Sequence, residues 1–375
     1  MERTSYDFAI VGGGLVGAAI AYGLRALGSR LAVFDEGDDA VRASRGNFGL
    51  IWVQGKGAGL PAYGTLTQAS ARAWPRLAAA LAADTGIDVA LAQPGGLHLC
   101  LSADELARRV ARLEVVVAQP GFDRYDVEVL DRAAVARRLP AAALGADVVG
   151  GTWTALDGHC NPLKLLSALH AALARADVDY RPACPVTAIA PRPGGFTLTT
   201  RAGEVRAERV VLAAGLANAQ LAPMVGLVAP LRPNKGQIIV LERVQPFLPF
   251  PVETVRQTDE GTVLIGDSQE ERGFDAELDL AVLGEIARRA VRMFPALGGV
   301  RVNRAWAALR VMSPDNHPVY AQSRTHPGAF AVSCHSGVTL AAAHAYVVAP
   351  AIGAGTLAAR LAPFGTERFG VRAAA

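Results

Sequence analysis

The sequence predicts an α/β fold, in which a Rossmann-like dinucleotide-binding domain is joined to a second α+β domain built on an antiparallel sheet. Three observations carry this. An apolar strand at residues 8–11 runs into Gly12-x-Gly14-x-x-Gly17, and a helical stretch follows. A second strand–glycine–helix crossing stands far down the chain, where residues 209–214 end at Gly215 and a helix is expected over 218–224. Residues 231–270 alternate apolar and polar side chains, with Asp259-Glu260-Gly261 as a turn, which is the pattern of an antiparallel sheet.

The first element is the most specific. Gly12 permits the tight turn, Gly14 lets the backbone approach a pyrophosphate, and Gly17 lets the helix pack closely on the strand. The helix N-terminus offers free N–H groups and a partial positive charge to phosphates. Asp35 ends a second apolar run, residues 31–34, and lies 23 residues after Gly12. A carboxylate there accepts from a ribose hydroxyl and disfavours a 2′-phosphate, which argues against NADP.

Residues 44–57 are too rich in glycine for a helix and carry Ser44, Arg45, Asn47, Gln54 and Lys56. Such a segment suits a loop pressed against a flat ligand, because glycine allows close approach and the polar side chains give directed contacts. The alternative, a surface loop, would expose Phe48, Ile51 and Trp52. Apolar positions at Leu66, Ala69, Ala73, Leu77 and Leu81 predict a helix over 65–85. Two solvated helices are expected at 102–117 and 131–139, and a new segment starts at 150–154. Asn161-Pro162-Leu163 opens a helix reaching 176, with proline in its first turn. A strand at 186–190 and a hairpin at 196–200 and 204–206 precede the second glycine crossing. A helix is expected over 276–294 and a strand over 303–309. Asp315-Asn316-His317-Pro318 is a turn that should leave His317 at the surface. A strand at 330–334 enters His335-Ser336-Gly337, and a buried helix is expected over 337–361, with His344 in the core.

Bulk properties exclude several classes. The 375 residues are 51% hydrophobic and 19% charged, as expected for a globular chain with a sizeable core. The net charge of +3 rests almost wholly on arginine, since only Lys56, Lys164 and Lys235 are lysines. No basic run with interleaved aromatics occurs, so nucleic acid is not an expected partner. Cys100, Cys160, Cys184 and Cys334 lack CxxC spacing, so no metal site is expected from them, and a reducing, cytoplasmic setting follows. No signal peptide is expected ahead of the first strand, and no spanning helix is expected. Loose membrane association stays open.

With these residues in hand, the chain resembles the FAD-dependent D-amino-acid oxidase, glycine oxidase and sarcosine oxidase family over nearly its whole length. The motifs are residues 10–17, 44–49, Asn161-Pro162, 211–215, Lys235-Gly236-Gln237, Gly266-Asp267-Ser268, 305–318 and His335-Ser336-Gly337. Residues 47–57 and 334–340 resemble more particularly the catalytic beta subunits of bacterial opine oxidases, D-hydroxyproline dehydrogenases and hydrogen cyanide synthases. The resemblance implies FAD held by Gly12, Gly14, Gly17, Asp35, Ser44, the backbone of Val186, and Gly215. It places the flavin ring beside Asn47, Gly49, Leu50, Gly337, Val338 and Thr339, with the helix near Gly337 aiming its positive end at the flavin. It also implies a discontinuous FAD-binding domain (1–75, 150–225 and 305–375) and a substrate domain (76–149 and 226–304).

Arg310 is the implied holder of a substrate carboxylate, which a guanidinium grips in plane; Arg45, Arg256 and Arg304 are its rivals. His335 is placed against flavin or substrate, or as a hydrogen-bonded histidine at the helix entry. Sarcosine oxidases tether flavin through a cysteine in the strand before Ser313; here that strand carries Ala307 and Ala308, so non-covalent FAD is expected. Residues 240–375 contain no lysine of the kind some of these oxidases use to activate oxygen. That favours a dehydrogenase with another acceptor, unless Lys56 substitutes. The implied reaction is oxidation of the C–N bond of a small amino acid or secondary amine (D-amino acid, hydroxyproline, opine or glycine type), by hydride transfer to flavin N5. Partner redox subunits in a hetero-oligomer are implied. Two alternatives remain: a 2-hydroxy-acid or glycerol-3-phosphate dehydrogenase on the same scaffold, and a non-catalytic flavin electron-relay subunit.

Overall fold

The structure, a computed structural model, describes residues 4–37 and 42–370. Its organising element is a mixed sheet whose strands run Val319–Gln322, Ala329–Ser333, Gly203–Leu212, Ser5–Val11, Leu31–Phe34 and Asp179–Arg181. Pairing is parallel from Ala329–Ser333 to Asp179–Arg181, and Val319–Gln322 is antiparallel at one edge. The central strands read as near-continuous apolar runs because both faces are covered, which is the parallel-sheet pattern. Val186–Arg192 and Gly195–Thr200 form an antiparallel arm on the long strand Gly203–Leu212.

One face of this sheet packs against helices Leu15–Leu24, Pro61–Thr85 and Pro162–Arg175 and the C-terminal helical segment. Asn161 caps the third of these, its Oδ1 accepting from Leu163 N at 3.1 Å and Lys164 N at 3.2 Å, with Pro162 in the first turn. The expected C-terminal helix is broken. Ala341–Ala343 is α-helical, His344–Val348 is a π-turn in which Ala349 N–H reaches His344 O, and α-helix resumes at Ala349–Gly353 and Leu357–Arg360. Pro350 lacks an N–H, so the ladder cannot continue through it and widens in the turn before.

The second assembly is antiparallel: Val255–Gln257, Thr262–Ile265, Arg232–Arg243 and Val302–Met312. A three-stranded sheet, Gly96–Cys100, Gly150–Thr154 and Glu128–Asp131, abuts it through Leu97, whose N–H donates to Pro251 O at 3.0 Å and whose carbonyl accepts from Glu253 N at 3.0 Å. One core joins both sheets to helix Leu280–Met293. The strands Gly150–Thr154 and Val302–Met312 therefore belong to the antiparallel layers, so the boundary expected at 150 parts a strand from its partners and the one expected at 305 cuts through a strand.

Candidate functional site

Gly12 ends the first strand at φ 106, a region closed to ordinary side chains, and a Cβ there would stand 2.4 Å from Ala213 O. The two glycine crossings, far apart along the chain, thus press on each other. Gly14 begins helix Leu15–Leu24 without a capping side chain of its own; Ser44 Oγ accepts from Leu15 N at 2.9 Å instead. Asp35 accepts from Gly13 N at 2.6 Å and from Gly37 N at 2.8 Å, which seats its carboxylate at the strand end with lone pairs to spare. Cys184 N donates to Asp35 O at 2.7 Å, and this brings the strand beginning at Val186 alongside. Gly215 turns the second crossing at φ 59. Next to it, buried Asn218 accepts from Ala214 N at 2.9 Å and donates to Leu212 O at 3.1 Å and Ser333 Oγ at 2.9 Å, tying two strand ends together. Gly12, Gly14, Gly17, Asp35, Ser44, Val186 and Gly215 thus cluster at one end of the parallel sheet, and this cradle fits the phosphates and ribose of a dinucleotide.

The glycine-rich loop lies against the start of the C-terminal helix. Asn47 Oδ1 accepts from Gly49 N at 2.7 Å in an Asx turn, and Leu50–Ile51 pairs with Gly158–His159. Thr339 Oγ1 donates to Leu50 O and accepts from Trp52 N, both at 3.2 Å. So Asn47, Gly49 and Leu50 are brought together with Gly337, Val338 and Thr339. Ile51 and Trp52 are buried and Phe48 half-buried, so this is not a surface loop that exposes them. The loop is pinned from behind by Asp157, which accepts from Val53 N at 2.5 Å and Gln54 Nε2 at 2.7 Å. Arg109 Nη2 donates to Gln54 Oε1 at 2.8 Å. Burial pushes the Asp157 carboxyl up to about 7.

Arg310 faces the antiparallel sheet's Asn234 across the strand pair. Its Nη2 lies 2.5 Å from Asp267 Oδ2, and its Nη1 donates to Asn234 Oδ1 at 3.0 Å and Lys235 O at 3.3 Å. The guanidinium lies flat over Gly236, where a Cβ would stand 2.4 Å from Nη2, so only glycine admits this pose. Burial pushes the Asp267 carboxyl up, against the pull of Arg310. His335 Nε2 lies 3.4 Å from Lys56 Nζ, and Ser336 Oγ is 3.3 Å from Lys56 Nζ and 2.8 Å from Tyr63 OH. Burial, then the charges of Lys56, Arg310 and His317, hold His335 well below the usual imidazole range, so it is neutral. Glu253 pairs with His98. His335 and Glu253 are half-buried, and Asp267 keeps 45% of its side chain exposed.

Arg256 does not join them. It sits in register with Leu264, Val240 and Arg304, six residues along the strand from Arg310, about 20 Å at ~3.3 Å per residue. Its Nη1 donates to Cys160 O at 3.1 Å and contacts His159 Nδ1 at 3.2 Å, behind Gly49. There it borders a separate cavity of about 720 Å³ with Arg45, Arg304 and Trp306. His317 is not a surface residue: it is half-buried, bonded to Ala58 O at 2.9 Å and edge-on to Tyr63, because the turn folds back under the loop. His344 is fully buried against Tyr320, and burial pushes it down to about 3. Sequence reasoning missed Asp267, Glu253, Tyr63 and Asp157. Only Asp267 carried a signal, inside Gly266-Asp267-Ser268. Among the described residues no group of three or more His, Cys, Asp or Glu could hold a metal, and no helix is long and apolar enough to cross a membrane.

Comparison with known proteins places these features in context. A family model described as FAD dependent oxidoreductase (DAO) matches residues 7–351. A subunit of the opine oxidase of Agrobacterium tumefaciens (strain Ach5) is 46% identical over 363 residues, covering 97% of each chain. Hydrogen cyanide synthase subunit HcnC of Pseudomonas aeruginosa is 29% identical, covering 98% of this chain and 97% of its own. The crystal structure of glycine oxidase from Geobacillus kaustophilus superposes with a TM-score of 0.87 at 26% identity, covering 97% of this chain and 98% of that one.

Proposed function

The chain belongs to the DAO family of FAD dependent oxidoreductases, and from that premise we propose that it oxidises the C–N bond of a small carboxylate-bearing amine, with opines as the leading substrate class. The observation that carries this reading is Arg310: a half-buried guanidinium held flat over Gly236, with His335 within its electrostatic reach. A similar protein, matched over nearly the whole of both chains, is named as part of an opine oxidase. FAD, when bound, supplies the hydride acceptor for the substrate carbon. The cradle at Gly12, Gly14, Gly17, Asp35, Ser44, Val186 and Gly215 takes its nucleotide half, and Asn47, Gly49, Leu50, Gly337, Val338 and Thr339 border its ring.

Arg310 clamps the substrate carboxylate and fixes the carbon that loses hydride, so its contribution is orientation. Its planar fork binds a carboxylate through two parallel bonds. Neutral His335 adds no positive charge beside an amine that must react unprotonated. Arg256, behind the glycine loop, supports that loop rather than the substrate. Two relatives are named as subunits, and we extend that to this chain as a hetero-oligomer with partner redox subunits.

The test is anaerobic mixing of the FAD-loaded protein with an opine, D-proline, hydroxyproline, sarcosine, glycine, a 2-hydroxy acid and glycerol 3-phosphate, following the flavin absorbance. Bleaching by an amine and not by the hydroxy acid or phosphate is the expected result. Bleaching by the hydroxy acid or phosphate alone would reassign the substrate, and bleaching by none would favour an electron-relay subunit.

A further inference from the structure

The turn that opens the nucleotide cradle holds three consecutive glycines, Gly12-Gly13-Gly14, and its peptide groups are tied down from different places. Gly13 N–H donates to Asp35 Oδ2 at 2.6 Å, which fixes the first peptide. Leu15 N–H donates to Ser44 Oγ at 2.9 Å and Gly14 O accepts from Ala18 N at 2.8 Å, which fixes the third at both ends. The middle peptide, between Gly13 and Gly14, is held at its carbonyl by a distant side chain. Gly13 O accepts from His170 Nε2 at 2.7 Å, across 157 residues of chain. Its other end, Gly14 N–H, has no protein acceptor among the described residues.

His170 projects from helix Pro162–Arg175, and its ring packs on Tyr180 of the edge strand Asp179–Arg181, with centroids 4.5 Å apart and planes tilted by 32°. Tyr180 lies against the same turn: a Cβ on Gly13 would stand 2.8 Å from Tyr180 Cε2, so position 13 is closed to larger residues. A carbonyl oxygen only accepts, so the bond to Gly13 O places a proton on His170 Nε2. A peptide flanked by glycine on both sides has no side chain to stop it turning over. The Gly13–Gly14 bond is trans. In a trans peptide the C=O and the following N–H point in opposite directions. Holding Gly13 O towards His170 therefore aims Gly14 N–H away from helix Pro162–Arg175.

We infer that His170 is a positioning residue for the cofactor: by holding Gly13 O it presents Gly14 N–H, an otherwise unused donor, to the pyrophosphate of FAD. It acts through the peptide and not by touching the cofactor. Without it the Gly13–Gly14 peptide is free to turn its oxygen, instead of its N–H, towards an anion. A lone pair facing a phosphate oxygen repels where an N–H would bind, so the effect falls on the phosphate-bearing part of the ligand. This role is independent of which substrate the enzyme takes.

Two substitutions separate the donor from the ring. His170→Gln keeps an N–H donor at the reach of Nε2 and loses the aromatic stack; His170→Phe keeps the stack and loses the donor. Each is compared with the wild type by titration of the flavin-stripped full-length chain with FAD, by competition of ADP against FAD, and by the Tm of the flavin-free protein. ADP carries the pyrophosphate without the flavin, so it locates the effect. His170→Phe is expected to bind FAD and ADP each at least about fivefold more weakly, and His170→Gln to stay within about twofold of the wild type. The flavin-free Tm is expected to be the same in all three. Unchanged FAD affinity in His170→Phe overturns the inference. So does a larger loss in His170→Gln than in His170→Phe, which would assign the role to stacking on Tyr180. ADP that competes equally well against wild type and His170→Phe, or that fails to compete in the wild type, overturns the link to the pyrophosphate. A fall in affinity accompanied by a fall in the flavin-free Tm would make His170 a structural residue only. If His170→Phe does not fold, His170→Ala is compared with His170→Gln in its place, and the same outcomes decide.

Discussion

Asp157 shows what burial does to a single carboxylate here. Its ordinary value of 3.8 rises to about 7. Between about pH 4 and pH 7 the folded state holds a proton that the unfolded state has lost, so the stabilisation from Asp157 is complete below pH 4 and is lost as pH rises through 7. Three units at ~1.4 kcal/mol each set an upper bound of about 4 kcal/mol on the change. Asp157→Asn is therefore expected to melt below the wild type at pH 5 and to close or reverse that gap by pH 8, as read from paired Tm values. A constant gap across that range would place the proton elsewhere. Arg310 makes a different kind of prediction. Charged hydrogen bonds are worth about 1.5–3 kcal/mol each, so Arg310→Ala should raise the amine KM roughly 100-fold with FAD retained. Gly236→Ala should move KM the same way by a smaller factor, because its methyl meets the guanidinium and not the substrate. Normal turnover in either would refute the clamp. The strand that carries Arg310 was legible from its motif. That Arg256 stands a sheet's width away was not, because register is a tertiary fact that alternation alone leaves free.

At the scale of the element, helix Pro61–Thr85 is a latch. Ser70 Oγ donates to Thr339 O at 2.7 Å and accepts from Ala343 N at 3.0 Å, while Trp74 Nε1 donates to Val338 O at 3.1 Å and Thr339 O at 3.2 Å. These bonds set where the C-terminal helix begins, and hence where Gly337, Val338 and Thr339 present their backbone. Trp74→Phe is expected to cost about 0.5–1.5 kcal/mol, the net worth of the lost bond, since Val338 O keeps the Ala341 N–H and Thr339 O keeps Ser70 Oγ, and to weaken FAD affinity in titration. A variant as stable as the parent with unchanged affinity would show that the latch is incidental. The amphipathic spacing announced the helix, but nothing in it announced what Ser70 and Trp74 would hold. The break at His344–Val348 was similarly hidden: the apolar run reads as one helix, and only Pro350 marks where the ladder fails. The short strands Gly96–Cys100 and Glu128–Asp131 also escaped, because four or five residues between helices give too little alternation to separate from loop.

For the molecule as a whole, the parallel sheet was the legible part, since glycine spacing and apolar runs specify it locally. The joining of the two antiparallel sheets through Leu97 was not, because it depends on segments about 150 residues apart. Attachment of the cofactor is also a whole-molecule property. Ala307 and Ala308 stand where a tethering cysteine would be, and Cys100, Cys160, Cys184 and Cys334 are all buried. Acid denaturation followed by ultrafiltration is expected to release all the flavin into the filtrate; colour retained with the chain would establish a covalent link.

The founding strand Ser5–Val11 sits between Leu31–Phe34 and Gly203–Leu212, and the latter must in turn be flanked by Ala329–Ser333. A ribosome delivers the first neighbour soon after the founding strand, the second much later, and the third later still. Throughout that interval the nascent polypeptide carries a naked, sticky margin that a chaperone must shield. A truncation just before Ala329 would leave that margin permanently open, and its product would go to inclusion bodies or proteases.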